Sequence, residues 1–320
     1  MHKKTKNTHI KIKYVCFGYL KLNYIYIARS SLSFWANLFN SSLSFSSRFS
    51  RLNINKDNAA LLKDKFFIFA RCWISLITSS GNLKVLDIPL WFFGISGSDW
   101  IDLKNLNKLS NKSNFESLRF NSSKDLGGDF YLRGFESLQG TFYPKTIVLS
   151  NVSEINRNFF DHFPYVEKLV MNNSTNVTFI EGIDNCTNLK HLEAYNCSIG
   201  SIQSIAGLNN LNYLNISNNK ISDILAISNL KKLEYLSLTN NSINDLNPLE
   251  NSIENGKISL QKLYLNNNII QITTVSGNNN IQILKNLYKA ELRTLDISKN
   301  NFTAGSTDEL KNLKWTSYKE

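Results

Sequence analysis

One self-similar pattern constrains this chain more than any other feature. Take the first Leu of Leu211–Lys232 as position zero. Apolar residues then fall at 0, 3, 5, 10, 13, 16 and 19, with an Asn at 8: Leu211, Leu214, Ile216, Ile221, Ile224, Ile227, Leu230 and Asn219. The stretch before it repeats the pattern with Leu189, Leu192, Ala194, Cys197, Ile199, Ile202, Ile205 and Leu208. The stretch after it does so with Leu233, Leu236, Leu238, Asn241, Ile243, Leu246 and Leu249. Nine units start at Leu83, Phe115, Pro144, Val166, Leu189, Leu211, Leu233, Leu260 and Leu292, spaced 32, 29, 22, 23, 22, 22, 27 and 32 residues apart. The ground period is 22, and the longer units carry insertions after position 10. Repeats of this length stack into a quasi-one-dimensional array, because no single unit can bury its own apolar face.

Within a unit, positions 3 and 5 alternate with polar neighbours. Each unit therefore opens with a short strand that has one buried face. Stacked units give a parallel sheet over a continuous core. The Asn at position 8 turns inward as the chain leaves the strand. There its amide can bond backbone groups of its own and a neighbouring turn, which is what makes a buried polar side chain tolerable. Asn219, Asn241, Asn268 and Asn300 fill this position in the last four units, whereas Trp91, Ser123, Val152, Ser174 and Cys197 stand there earlier. The ladder is expected to be regular in the C-terminal half and irregular before it.

The pattern LxxLxLxxN, written here as LNYLNISNN, LEYLSLTNN, LQKLYLNNN and LRTLDISKN, resembles the leucine-rich repeat. The 22-residue period with Ile at positions 10 and 13 is similar to that of bacterial internalins. It is also similar to that of leucine-rich regulatory subunits of protein phosphatase 1. The resemblance implies an α/β solenoid of about nine coils with a concave parallel sheet, and a non-enzymatic module that binds a partner protein on that sheet.

The ends of such a stack need covers. In Asp57–Thr78, Leu62, Phe66, Phe69, Trp73 and Ile77 recur at helical spacing behind a candidate N-cap, Asp57. Residues 57–82 are therefore read as a helical N-terminal cap, and 83–320 as the repeat body. Thr307–Leu313, Trp315 and Tyr318 are expected to close its far end, and a helix is expected around Ile281–Leu287. Residues 1–56 differ: they hold ten Lys or Arg and no Asp or Glu. The chain's net charge of +11 is thus +10 on this segment and +1 on the rest. The segment reads as a disordered or targeting tail, and only through it would nucleic acid or an anionic membrane surface be addressed. Tyr14–Ala28 has a weak signal-like character, which keeps an exported, internalin-like adhesin or effector as the alternative to an intracellular adaptor.

The outward positions 2, 4 and 6 supply the candidate partner-binding set: Lys168, His191, Glu193, Tyr195, Tyr213, Asn215, Tyr235, Lys262 and Tyr264. Tyr213 and Tyr235 share one position in adjacent units and should stack about 5 Å apart. Tyr gives large contact area at low entropic cost and is enriched at binding hot spots. No Walker loop, HExxH or GxSxG occurs. The expectation is no enzyme, cofactor, metal or small-molecule substrate, and a monomer. His191 and Glu193 face the same way as a conceivable acid–base pair, but an open sheet lacks the water-excluded cleft that such chemistry needs. Cys186 and Cys197 are read as small buried residues, with a disulfide between them the minor reading. The chain has about 45 Asn, well above ordinary usage. Its many Asn-x-Ser/Thr sequences follow from that abundance and say little about glycosylation.

Overall fold

In the computed structural model every one of the nine unit starts leads into a strand. The structure describes residues 85–89, 100–102, 106, 107, 112, 116–121, 131–133, 137–150, 152, 155, 157–253, 259–272 and 279–320. The segments read as a basic tail (1–56) and a helical cap (57–82) lie outside the described residues. In chain order the strands are β1 (Val85–Pro89), β2 (Trp100–Asp102), β3 (Ser117–Asn121), β4 (Tyr131–Arg133), β5 (Thr146–Ser150), β6 (Lys168–Val170) and β7 (His191–Glu193). There follow β8 (Tyr213–Asn215), β9 (Tyr235–Ser237), β10 (Lys262–Tyr264), β11 (Gln271–Ile272), β12 (Thr294–Asp296), β13 (Asn301–Phe302) and β14 (Ser317–Lys319).

Ten of these form one sheet in the order β1-β3-β5-β6-β7-β8-β9-β10-β12-β14. Every pairing is parallel, and equivalent positions stand opposite each other, as in Leu192↔Leu214, Leu214↔Leu236, Leu236↔Leu263 and Leu263↔Leu295. The register follows from the side-chain period of two: a slip of one residue would turn the Leu column into solvent. That column is fully buried, as are the position-5 residues Ala194, Ile216, Leu238, Leu265 and Ile297 and the position-10 residues Ile199, Ile221, Ile243 and Ile270. The nine strands that open the units make the α/β solenoid of nine coils.

The return segments are short. The 22- and 23-residue units use 3-10 turns, at Ile183–Asn185, Gln203–Ile205 and Leu225–Asn229. Longer units insert more structure. Pro248 is the second residue of the four-residue helix Asn247–Glu250, within the first turn, where no intrahelical bond needs its missing N–H. The helix expected around Ile281–Leu287 runs from Asn280 to Lys289 and buries Asn280, Ile283, Leu284 and Leu287, an i, i+3, i+4, i+7 stripe. Two small parallel pairs, β2 with β4 and β11 with β13, lie in the extended units.

The C-terminal segment adds a tenth strand. Tyr318 stands opposite Leu295, where a Leu would otherwise sit. The Trp315 indole N–H donates to the Leu310 carbonyl at 2.8 Å, and its ring meets those of Tyr288 (4.7 Å) and Tyr318 (5.9 Å).

Two rows of Asn build the turns that leave the sheet. At position 8, Asn241 Nδ2 donates to the Ile216 and Leu238 carbonyls at 3.1 and 2.9 Å, and Oδ1 accepts the Ile221 N–H at 3.0 Å. Asn219, Asn268 and Asn300 repeat this, accepting from Ile199, Ile243 and Ile270. Each amide thus ties a position-10 N–H and a position-5 carbonyl of the preceding coil to its own coil. Earlier coils keep part of the arrangement: the Ser174 hydroxyl donates to the Leu149 carbonyl at 3.5 Å and accepts the Val152 N–H at 3.1 Å, and the Cys197 thiol donates to the Met171 carbonyl at 3.2 Å.

The second row, at position 7, is left-handed in six successive coils: Asn173, Asn196, Asn218, Asn240 and Asn267 have φ of 55 to 61°, and Lys299 has φ 57°. Asn tolerates this region better than other L residues. The row also bonds along its length, Asn196 to Asn173 at 2.8 Å and Asn240 to Asn218 at 2.6 Å, with Asn267 donating to Asn240.

Candidate functional site

Side chains at positions 2 and 4 leave the sheet on the side opposite the Leu column. At position 2 the parallel register sets Lys168, His191, Tyr213, Tyr235 and Lys262 side by side on β6 to β10. The central three rings form a stack. His191 lies 4.1 Å from Tyr213 with 4° between planes, and Tyr213 lies 4.3 Å from Tyr235 with 6°. These spacings fall below the ~4.8 Å between strands, as expected on a concave face, where side-chain tips converge. Tyr264, at position 4 of the next coil, continues the row at 5.4 Å and 40°.

The structure therefore brings together Tyr213, Tyr235 and Tyr264 and adds His191 as the fourth ring. Tyr195 does not join the stack. It follows β7, and its backbone N–H is held by Asn172 Oδ1 at 3.1 Å. Asn215 bonds Ser217 instead, through the Ser217 N–H at 3.2 Å and hydroxyl at 2.8 Å. From there a hydroxyl row runs beside the rings: Ser217 to Ser237 at 2.7 Å, Ser237 to Thr239 at 3.5 Å, and Thr239 donating to Asn266 at 2.6 Å. This row was not anticipated from sequence. Its signal was the run of Ser, Thr and Asn at position 6.

One end of the stack is charged. His191 Nε2 lies 2.5 Å from Glu193 Oε1, Asn172 Nδ2 donates to Oε2 at 3.2 Å, and Lys168 Nζ stands 3.8 Å from Oε1. Burial raises the Glu193 pKa, but the bonds from His191 and Asn172 and the charge on Lys168 outweigh it, leaving the carboxyl below its ordinary value. Burial is also the main reason the Tyr213 phenol is pushed up to about 12, with Tyr235 and Glu193 adding to it. Tyr264 is raised for the same leading reason. These phenols are neutral hydrogen-bonding groups at physiological pH. His191 and Glu193 sit on an open sheet with both carboxylate oxygens bonded within the protein, an arrangement that orients the imidazole against Tyr213.

Cys186 and Cys197 are free and buried, with burial pushing their thiols up to about 12 and about 11. Among the described residues no group of three or more His, Cys, Asp or Glu could hold a metal ion. Among the same residues no helix is long and apolar enough to cross a membrane.

Residues 187–232 match the family Leucine Rich repeats (2 copies), the stretch where the 22-residue period is most regular. No curated protein matches the sequence. Among solved structures, an internalin (inlF) from Listeria monocytogenes aligns at 20% identity and TM-score 0.41, covering 69% of this chain and 72% of its own. An internalin C2 (inlC2) from the same organism aligns at 22% and TM-score 0.45, covering 69% and 80%. The ectodomain of the Arabidopsis thaliana receptor kinase GASSHO1/SCHENGEN3, in complex with Casparian strip integrity factor 2, aligns at 21% and TM-score 0.47, covering 74% of this chain and 30% of the receptor. Leucine-rich repeat proteins are in general non-enzymatic scaffolds that bind other proteins. Residues 187–232 therefore carry leucine-rich repeats, and the in-register strands on either side continue the same repeat architecture through the ten-stranded sheet.

Proposed function

We propose that this protein is a non-enzymatic, monomeric interaction module that binds a partner protein on its concave sheet, centred on the ring row His191–Tyr213–Tyr235–Tyr264. The observation that carries the reading is the stack itself. Its rings stand at outward positions, with centroids 4.1 to 5.4 Å apart, where the core does not need them. Rings fixed against one another lose little further entropy on binding, which is the property that makes Tyr effective at interfaces. The hydroxyl row from Ser217 to Asn266 supplies hydrogen-bonding groups alongside, and the Lys168–His191–Glu193 cluster supplies a polar boundary. Aromatic centres with polar rims are the common anatomy of protein interfaces.

Affinity capture with the full chain, compared by quantitative mass spectrometry with Tyr213→Ala/Tyr235→Ala, tests the proposal. The expected result is a partner enriched by the parent protein, lost with the double variant and retained by Leu225→Ser on the opposite side. Equal recovery by all three proteins overturns it.

A further inference from the structure

The stack limits what a partner can present to it, and its flanks narrow the partner further. Tyr213 has His191 at 4.1 Å on one face and Tyr235 at 4.3 Å on the other, both nearly parallel to it. Its faces are occupied, so neither a partner ring nor a sugar ring can stack there. What remains is ring edges and phenol oxygens. The edge is the electropositive part of an aromatic ring. At position 2 the row continues into a lysine at each end, Lys168 next to His191 and Lys262 next to Tyr235.

The neighbouring carboxylates are already engaged within the protein. Glu193 is bonded by His191 and Asn172, and Asp296 accepts the N–H and hydroxyl of Ser298 at 3.1 and 2.7 Å. Lys262 is exposed and has no ion pair among the described residues. Lys168 keeps 43% of its side chain exposed, and its approach to Glu193 is long at 3.8 Å.

We infer that the concave face takes an extended acidic segment of its partner protein, which crosses β6 to β10 over the ring edges with carboxylates at Lys168 and Lys262. This rests on the proposed concave-face binding and specifies its chemistry. Four strand spacings separate the two lysines, about 17–19 Å. An extended chain advances about 3.3 Å per residue and its side chains alternate sides, so the two acidic residues stand about six positions apart, on one face of the segment.

The test uses the full chain and two commercial random copolymers, poly(Glu,Tyr) and poly(Lys,Tyr). Binding is followed by fluorescence anisotropy, and the sites are mapped by zero-length carbodiimide cross-linking and mass spectrometry. The mapping separates the sheet from the basic residues 1–56. Expected are preferential binding of poly(Glu,Tyr), cross-links at Lys168 and Lys262, and loss of at least about ten-fold of the cross-link yield at each remaining concave lysine in Lys168→Gln, Lys262→Gln and Tyr213→Ala/Tyr235→Ala. A Lys220→Gln/Lys289→Gln control should leave that yield unchanged. Preference for poly(Lys,Tyr), or copolymer binding that needs the two Tyr but neither lysine, refutes the acidic segment and leaves concave-face binding standing. Cross-links confined to residues 1–56, unaffected by any concave substitution, refute both.

Discussion

Asn241→Ala probes how the coils are joined. The Asn241 amide is the only side chain in its turn that bonds both its own coil and the preceding one. Its Oδ1 accepts the Ile221 N–H at 3.0 Å, and its two amide hydrogens serve the Ile216 (3.1 Å), Leu238 (2.9 Å) and Thr239 (3.3 Å) carbonyls. Ala removes one accepted and two donated bonds, each worth about 1 kcal/mol net. It also strands a backbone N–H, and Asn241 is only half-buried, so water recovers part of the loss. The expected destabilisation is about 2–3 kcal/mol. Circular dichroism in urea should show a lowered midpoint, and hydrogen exchange should show lost protection at Ile221.

Asn241→Asp discriminates further. It keeps the acceptor for Ile221 but turns a second oxygen toward the three carbonyls. Its carboxyl would therefore be raised in the folded state. Stability would be best below the ordinary carboxylate pKa and would fall as pH rises through the raised value. An unchanged midpoint for Asn241→Ala, or an Asp variant insensitive to pH, would refute the ladder as a source of stability.

Other consequences can be measured separately. Lys299 holds the left-handed position that Asn fills in the five preceding coils, so Lys299→Asn should raise stability by about 0.5–1 kcal/mol, read as a higher urea midpoint. Glu193 is held below its ordinary pKa, so its contribution is present above that ordinary value and is lost as pH falls through the lower folded value. Glu193→Gln should flatten that part of an acid unfolding curve. In a spectrophotometric titration the Tyr213 phenol should ionise only near pH 12, and Tyr213→Phe should remove that late step. Cys186 and Cys197, with thiols raised to about 12 and 11, should resist alkylation in the folded protein and react on unfolding.

Much of this architecture could be read from spacing alone, because a strand with one buried face leaves a period of two and a repeat leaves a period of 22. Even the degenerate starts at Leu83 and Phe115 lead into strands, β1 and β3. The position-8 Asn was legible because a polar residue recurring inside an apolar pattern has to be bonded there. The position-7 row was not, since φ leaves no mark when Asn is abundant everywhere; Asn173, Asn196, Asn218, Asn240 and Asn267 looked like composition. The tenth strand was hidden because Tyr318 replaces the Leu that marks the other coils. In the site, the Tyr213–Tyr235 neighbour relation followed from the repeat. The inclusion of His191 and the exclusion of Tyr195 depend on side-chain rotation and on where β7 ends, neither of which the period encodes.

The most direct measurement is a calorimetric titration of the captured partner into the parent protein and into Tyr213→Ala/Tyr235→Ala. Loss of the two central rings should cost more than about 2 kcal/mol, a fall in affinity of roughly 30-fold, with the urea midpoint nearly unchanged. Equal affinity for the two proteins would place the interface elsewhere and contradict the account.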